Sequence, residues 1–260
     1  MIYHQERGIP QKYQKSNSTQ ARHNAKQYSL LDWIYRFGFT SVSVIELLWD
    51  VDRSVVNRMV KRLVKDDVIN EVATYATRDK RIFLLKPKAV RMLEELHNEQ
   101  LKYNIKPSTI NPKSVTHDLI TQAIVAIGIQ QEKYAFFITE REQEKDSKGK
   151  KRRVDAICYQ VSDDDNNSGE VIAIEVECSS KTIIHRLDLL RRYKRAIESG
   201  ENFNKVLVFS HRRRFVKDAE RVNTKLIDKP ENELDREFFS QSIKYIYSKE
   251  LISILYNKFW

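Results

Sequence analysis

The sequence predicts a protein of mixed α and β structure, of the α+β or α/β class, in two successive units. Three helical patterns and then two short strand patterns fill residues 28–96, whereas strands and helices alternate after residue 114. A length of 260 residues suits one or two domains, and 41% hydrophobic with 32% charged residues suits globular domains with a highly charged surface. The chain shows no internal repeat and no heptad pattern, so neither a solenoid nor a coiled coil is expected.

The overall charge indicates a polyanionic partner. Lysine and arginine number 46 against 36 acidic residues, which gives a formal net charge of +10. An excess of this size favours nucleic acid over an acidic membrane surface. No apolar stretch approaches the roughly 20 residues of a membrane-spanning helix, so no membrane partner is expected. Residues 1–26 lack the apolar core of a signal peptide, and we expect a cytoplasmic protein.

Only two cysteines occur, Cys158 and Cys178, and both lie in apolar, strand-like runs. We expect them to pack in the core of a protein from a reducing compartment. Two cysteines without a matching set of histidines and cysteines do not form a zinc site.

Residues 1–26 are rich in polar and basic side chains and predict a basic flexible arm, and residues 27–97 predict one domain. In this domain, a first helix begins at Ser29 and is stopped by Gly38, and Ser54 is the predicted N-cap of a third helix. The other predicted elements are a helix over 40–49, the third helix over 55–65, strands over 68–72 and 81–85, and a closing helix over 86–96.

Helices followed by a β-hairpin in this order are typical of a winged helix-turn-helix domain. The third helix would carry Asn57 and Arg58, residue types that read adenine and guanine in the major groove. The hairpin tip would contact phosphate or the minor groove. The predicted DNA-binding residues of this domain are Ser54, Asn57, Arg58, Lys61, Arg62, Arg78, Lys80 and Arg81. A winged helix used for dimerisation or for docking another protein is the alternative.

A polar linker that carries two prolines spans residues 98–113, and residues 114–260 predict the second domain. This domain begins with a helix over 115–127, and its first three strands can form a meander. A fourth strand joins the sheet through a helical crossover, which should be right-handed. The predicted strands are 134–138, 153–160, 170–178, 205–210 and 243–247, and the later predicted helices are 182–199, 215–226 and 249–260.

Three carboxylates lie on two neighbouring strand patterns of the second domain. Asp155 is on one run, and Glu175 and Glu177 are two residues apart on the next, so that both point to one face. Burying three acids together is costly unless a cation neutralises them, and Mg²⁺ prefers oxygen ligands. The sequence therefore predicts a magnesium site at these three residues. The alternative is that the glutamates form ion pairs with Arg153, Lys181 or Arg186.

The second domain resembles the restriction-endonuclease-like fold of the PD-(D/E)xK superfamily, over roughly residues 114–210. The resemblance rests on the α-β-β-β-α-β order, on Asp155 and on Glu175-Val176-Glu177. It implies that an Asp and a Glu hold Mg²⁺ and that a lysine two residues after the Glu helps to activate water. Glu177 occupies that lysine position here. The catalytic set that the resemblance implies is Asp155, Glu175 and Glu177, with Lys181 as the substitute for the lysine.

Both domains together resemble the replication-relaxation family, which includes the MobC-type relaxosome accessory proteins of mobilisable plasmids. The resemblance covers about residues 28–210 and is carried by three motifs in order: Thr116-His117-Asp118-Leu119, Arg153-Val154-Asp155 and Ile174-Glu175-Val176-Glu177. It implies a DNA-binding protein that binds near a transfer origin and helps a relaxase to open it. An active Mg²⁺-dependent endonuclease and a winged-helix regulator of transcription or replication are the alternatives.

Basic clusters in the second domain also predict DNA contacts, because phosphate neutralisation supplies much of the affinity for DNA. The residues chosen from these clusters are Lys150, Lys151, Arg152, Arg191, Arg192, Arg212 and Arg213. The expected partners are therefore double-stranded DNA and a relaxase, with a homodimer as a further option.

Overall fold

The computed structural model shows a mixed α+β chain with two β-sheets, one of two strands and one of five. It describes residues 17–143, 153–161, 170–200 and 203–259. The chain divides into two units: the first contains the residues up to Gln130 together with Phe259–Trp260, and the second runs from Gln131 to Lys258. The predicted mixture of helices and strands is therefore confirmed.

The first unit consists of helices and one β-hairpin. Its elements are α1 (Thr19–Phe37), α2 (Val42–Trp49), α3 (Arg53–Lys65), β1 (Ile69–Ala73), β2 (Arg81–Leu85), α4 (Pro87–His97) and α5 (Val115–Gln130). Gly38 ends α1 as predicted, with a φ of +95° that favours glycine, and its N–H donates to the Ile34 carbonyl oxygen at 2.7 Å. The strands pair antiparallel from Ile69 opposite Leu85 to Ala73 opposite Arg81.

Helix α1 is longer than predicted, because it begins at Thr19 rather than at Ser29. Ser18 caps the helix, since its Oγ accepts a hydrogen bond from the Ala21 N–H at 3.2 Å. No glycine or proline interrupts residues 19–28, and Ala25 is buried. The predicted flexible arm is therefore wrong for residues 19–26, while residues 1–16 lie outside the described part.

Helix α3 begins earlier than predicted, because Asp52, not Ser54, is its N-cap residue. Asp52 has an extended backbone, and its carbonyl oxygen accepts the N–H of Val55 at 2.9 Å. This bond closes the first turn before Ser54 is reached. Ser54 therefore lies inside the first turn, where its side chain is exposed.

Helix α5 belongs to the first unit, whereas the sequence placed it at the start of the second domain, after a boundary at residue 114. It packs against α2. Its Gln122 is fully buried, accepts a hydrogen bond from Trp33 Nε1 and donates one to the Phe39 carbonyl oxygen, both at 2.9 Å. A helix buried on most of its surface gives no amphipathic pattern that would show which neighbour covers it.

The second unit is built on the five-stranded sheet, with order β3-β4-β5-β6-β7. The first three strands are antiparallel neighbours, and β5, β6 and β7 are parallel. This is the predicted meander with a fourth strand added through a helix. The elements are β3 (Tyr134–Thr139), β4 (Ala156–Gln160), β5 (Val171–Val176), α6 (Ile183–Glu198), β6 (Lys205–Phe209), α7 (Arg213–Ile227), α8 (Arg236–Ser242), β7 (Ile243–Tyr245) and α9 (Lys249–Phe259).

One face of this sheet is buried beneath α6. Ile157 and Ala173 from the strands share a core cluster with Leu189, Leu190 and Tyr193 from the helix. Side chains alternate along a strand, so the residues two positions from Ile157 and Ala173 lie on this same face. Those residues are Asp155 and Glu175, so the fold brings two of the predicted carboxylates to the α6 side of the sheet.

The described helices offer no candidate for a membrane crossing, because none of them combines sufficient length with sufficient apolar character.

Candidate functional site

The outer face of α3 is basic. Arg58, Lys61 and Arg62 are exposed, while the apolar residues of the helix face inward. The helix contains five lysine and arginine residues and no acidic residue. At the far end of the helix, Arg62 Nε lies 3.8 Å from Asp66, and at its start Arg53 pairs with Glu46 and Asp79. This surface is therefore suited to an anionic partner.

Asn57 and Arg81, both predicted to contact DNA, contact each other. The guanidinium of Arg81 donates to Asn57 Oδ1 at 2.6 Å, pairs with Glu71 at 3.1 Å and lies 5.6 Å from the centre of the Phe83 ring. Both side chains are half-buried. Their observed role is to tie the hairpin to α3, and this role is not visible in a linear sequence.

The loop at the tip of the hairpin is held by a buried carboxylate. Asp79 accepts hydrogen bonds from the N–H and the hydroxyl of Ser43, at 2.8 and 3.1 Å, and from Arg53 at 2.5 Å. Arg78 and Lys80 flank it and are exposed. The tip therefore presents two basic side chains from a backbone that is fixed to α2 and α3.

A cavity of about 510 Å³ lies between α1 and α3. Its basic lining residues come from both helices: Arg22, His23 and Lys26 from α1, and Arg58 and Arg62 from α3. Arg62 contacts His23 and also donates to Gln27 Oε1 at 3.3 Å. Sequence reasoning missed this cavity because it treated residues 19–26 as a flexible arm. The available signal was Ser18 followed by an uninterrupted helix-forming stretch.

Two groups in this cavity titrate below their ordinary range. Burial, with a smaller effect of Arg22, lowers the pKa of Lys26. Burial, with a smaller effect of Arg62, lowers the pKa of His23. A lowered pKa means that the protonated, positively charged form of each side chain is disfavoured. This is expected in a partly enclosed space that already contains other cations.

The predicted acidic residues of the second unit lie at one end of β4 and β5. Ala156 pairs with Ile174, so Asp155 and Glu175 come next on either strand. Asp155 Oδ2 accepts a hydrogen bond from the Val176 N–H at 2.7 Å, and so occupies a position where a strand carbonyl would ordinarily accept. Glu175 is buried on the side of the sheet that α6 covers.

Glu177 is neutralised by two cations of the chain itself. It is 3% exposed, and its carboxylate lies 2.7 Å from Lys181 Nζ and 3.4 Å from Nη1 of Arg186. Arg186 is only 1% exposed. A signal for this pairing exists in the sequence, because Arg186 precedes Leu189, Leu190 and Tyr193 at the spacing of one buried helix face.

The carboxylates do not fit the predicted magnesium site. Over the described ranges, no group of three His, Cys, Asp or Glu side chains is placed to hold a metal ion. Asp155 uses one oxygen on a backbone N–H, and both oxygens of Glu177 face cations. Lys181 and Arg186 supply the positive charge that the sequence argument assigned to Mg²⁺. For Glu177, the structure shows the alternative given above, in which the glutamate forms ion pairs with Lys181 and Arg186.

The remaining predicted contacts are scattered. Lys150, Lys151 and Arg152 lie outside the described residues. On α6, Arg191 is exposed and Arg192 pairs with Asp188 at 2.8 Å. At the start of α7, Arg212 is half-buried and Arg213 exposed.

The His117-Asp118 pair has a local role at the start of α5. Asp118 accepts a hydrogen bond from Ser114 Oγ at 3.2 Å, and its other oxygen lies 3.1 Å from His117 Nδ1. An acid in the first turn also favours the helix dipole. The observed contacts of Asp118 are therefore local to the first turn of α5.

A buried histidine that sequence reasoning did not select follows β6. His211 is 4% exposed and lies 3.9 Å from Cys178 Sγ. Burial, assisted by Arg212 and Arg214, lowers the pKa of His211 to about 4. The imidazole is therefore neutral near pH 7, and the structure accommodates it in that form.

Comparisons of the chain with family models, with curated proteins and with solved structures found no match. The residues and their geometry therefore carry the functional argument.

Breaking the Glu177–Arg186 pair is expected to destabilise the protein strongly. Glu177→Gln alone should lower the free energy of unfolding by about 3–5 kcal/mol, because it leaves the buried Arg186 without its partner. Arg186→Met alone should cost less, because Glu177 keeps its contact with Lys181. The double variant should lose clearly less than the sum of the two. Urea unfolding followed by circular dichroism measures all three. Asp188→Ala, which breaks a surface pair, serves as the control and should cost about 0.5 kcal/mol or less. Strictly additive losses would contradict the pairing.

His211 is expected to make the fold sensitive to mild acid. Its pKa is lowered to about 4 in the folded state, whereas an unfolded histidine titrates near 6.5. The unfolded state therefore binds a proton first, and stability is lost as the pH falls through this window. From about pH 7 to about pH 5, the wild type should lose about 1–2 kcal/mol more than His211→Gln. Parallel stability curves from urea unfolding would contradict this assignment.

Proposed function

We propose that the protein binds double-stranded DNA through its first unit and acts as an accessory factor of a relaxase in plasmid mobilisation. The observation that carries the DNA-binding part is the acid-free, basic outer face of α3, which lies beside a hairpin whose tip presents Arg78 and Lys80. A net charge of +10 supports the same class of partner.

The order of elements supports a winged helix-turn-helix for the first unit. Three helices precede the hairpin, and an isolated antiparallel bridge joins Thr40 to Phe83 of β2. In this type of domain, the helix before the hairpin enters the major groove and the hairpin is the wing. α3 would then present Arg58 and Lys61 to the DNA.

The second unit supports a binding role rather than a cutting role. Its antiparallel meander and parallel β5–β6 pair match the strand arrangement expected of a restriction-endonuclease-like fold. The position of the superfamily's lysine holds Glu177, whose charge is used on Lys181 and Arg186. An arrangement of this kind favours a nuclease-like scaffold that grips DNA or a partner protein.

The relaxase partnership rests on the order of the three sequence motifs across both units. An accessory factor of this kind would bind near the transfer origin and distort the duplex. Bending a site costs a few kcal/mol, which added phosphate contacts offset. The relaxase would then reach a strand that is already deformed.

A plasmid-nicking assay tests the proposal. With a supercoiled plasmid that carries the transfer origin and its relaxase, the protein should raise the nicked fraction in Mg²⁺ buffer. Arg58→Ala should remove this stimulation, and it should weaken binding to the same duplex by roughly 5- to 150-fold, the equivalent of about 1–3 kcal/mol. Arg91→Ala, which removes an exposed charge from α4, is the matched control and should behave as the wild type.

The same assay without relaxase separates the proposal from an endonuclease. The protein alone should leave the plasmid supercoiled in Mg²⁺ or Mn²⁺, and Asp155→Ala should change nothing. Nicking by the wild type alone that is lost in Asp155→Ala would overturn the accessory role and establish a metal-dependent nuclease.

A further inference from the structure

The cavity between α1 and α3 is bordered by two rows of cations. Arg22 and Lys26 are four residues apart on α1, and Arg58 and Arg62 are four residues apart on α3. Residues at this spacing lie on one face of a helix, about 6 Å apart along its axis. Each helix therefore lines the same space with a pair of positive charges, and we call this space the α1–α3 groove.

The groove has almost no carboxylate to balance these charges. Residues 19–31 and 53–65 contain no aspartate or glutamate. Over the described residues, Arg22, Lys26 and Arg58 form no ion pair, and Arg62 reaches only Asp66 at 3.8 Å. Like charges held this close repel one another, and an anion placed among them would remove that cost. Burial is the main cause of the lowered pKa values of Lys26 and His23, and the nearby arginines contribute a smaller effect in the same direction.

The lining of the groove also includes apolar side chains. Val55 and Met59 of α3 border it together with the cations, Val55 half-buried and Met59 buried. A small inorganic anion keeps its hydration shell and gains little from apolar contact. The sugar–phosphate backbone of a nucleic acid carries both an anionic group and an apolar sugar edge, and this combination matches the lining.

We infer that the α1–α3 groove binds the phosphodiester backbone of duplex DNA beside the major groove that α3 enters. The inference rests on the proposed DNA-binding function and extends it, because it makes α1 a second DNA-contacting helix. Arg22 and Lys26 neutralise phosphates from one side, and Arg58 and Arg62 from the other. The contact fixes the position of α3 on the duplex without reading sequence.

The test removes the α1 row of cations. In Arg22→Ala/Lys26→Ala, alanine preserves the helix because it has the highest helix propensity. The full chain is titrated into a fluorescent duplex of mixed sequence over about 50–200 mM salt, and affinity is measured by anisotropy. The slope of log affinity against log salt should fall by about 2, since each lost phosphate contact removes about 1. Affinity at the lowest salt should fall roughly tenfold or more.

A variant of equal charge provides the control. Arg91→Ala/Lys102→Ala removes two exposed cations from the same unit, outside the groove, and should keep the wild-type slope. Equal losses in both variants would overturn the inference, since only net charge would then matter. A groove variant that binds like the wild type would overturn it too, while leaving DNA binding intact. Failure of the wild type to bind any duplex at low salt would instead refute the proposed function.

A second arm separates DNA phosphate from free phosphate. Thermal unfolding is compared in phosphate and in chloride at equal ionic strength, for the wild type and the groove variant. The inference predicts the same difference between buffers for both proteins. A rise in Tm with phosphate that only the wild type shows, together with an unchanged affinity for DNA, would assign the groove to a free anion and overturn the inference.

Discussion

The first unit holds the basic faces of α1 and α3 along one cavity, although like charges repel one another. Apolar burial holds these faces in place, with Leu30, Leu31 and Ile34 buried on α1 and Val56, Val60 and Leu63 buried on α3. Each such side chain contributes about 1.5–3 kcal/mol, whereas two solvated charges at 4 Å repel by about 1 kcal/mol. The fold can therefore maintain a surface with a large excess of positive charge, and an anionic partner would reduce this repulsion.

In the second unit, by contrast, opposite charges are paired and buried. Glu177 and Arg186 are almost completely buried, and they neutralise each other with the help of Lys181. The carboxylate of Glu177 is therefore balanced by cations of the chain itself. The two units differ in this respect, because over the described residues the cations on the outer face of α3 are largely unpaired and exposed, whereas the charges around Glu177 are paired and buried.

The sequence predicted the mixed fold and the order of elements because periodicity, caps and Gly38 are local signals. It predicted the exposed face of α3 for the same reason. It missed two contacts between residues that are distant in sequence, the Asn57–Arg81 bond and the docking of Gln122 on Trp33. It offered the pairing of Glu177 with Arg186 only as the alternative to a magnesium site. A local signal for the start of α1 at Thr19 was present, because Ser18 is followed by an uninterrupted helix-forming stretch. The polar composition of this segment led instead to the prediction of a flexible arm.

The most direct measurement is hydrogen–deuterium exchange of the full chain with and without duplex DNA, read by mass spectrometry. DNA binding through the first unit predicts slower exchange in peptides from residues 19–30, 53–65 and 74–81, and unchanged exchange in peptides from residues 175–190. Protection confined to residues 175–190, or none in α1 and α3, would contradict the account.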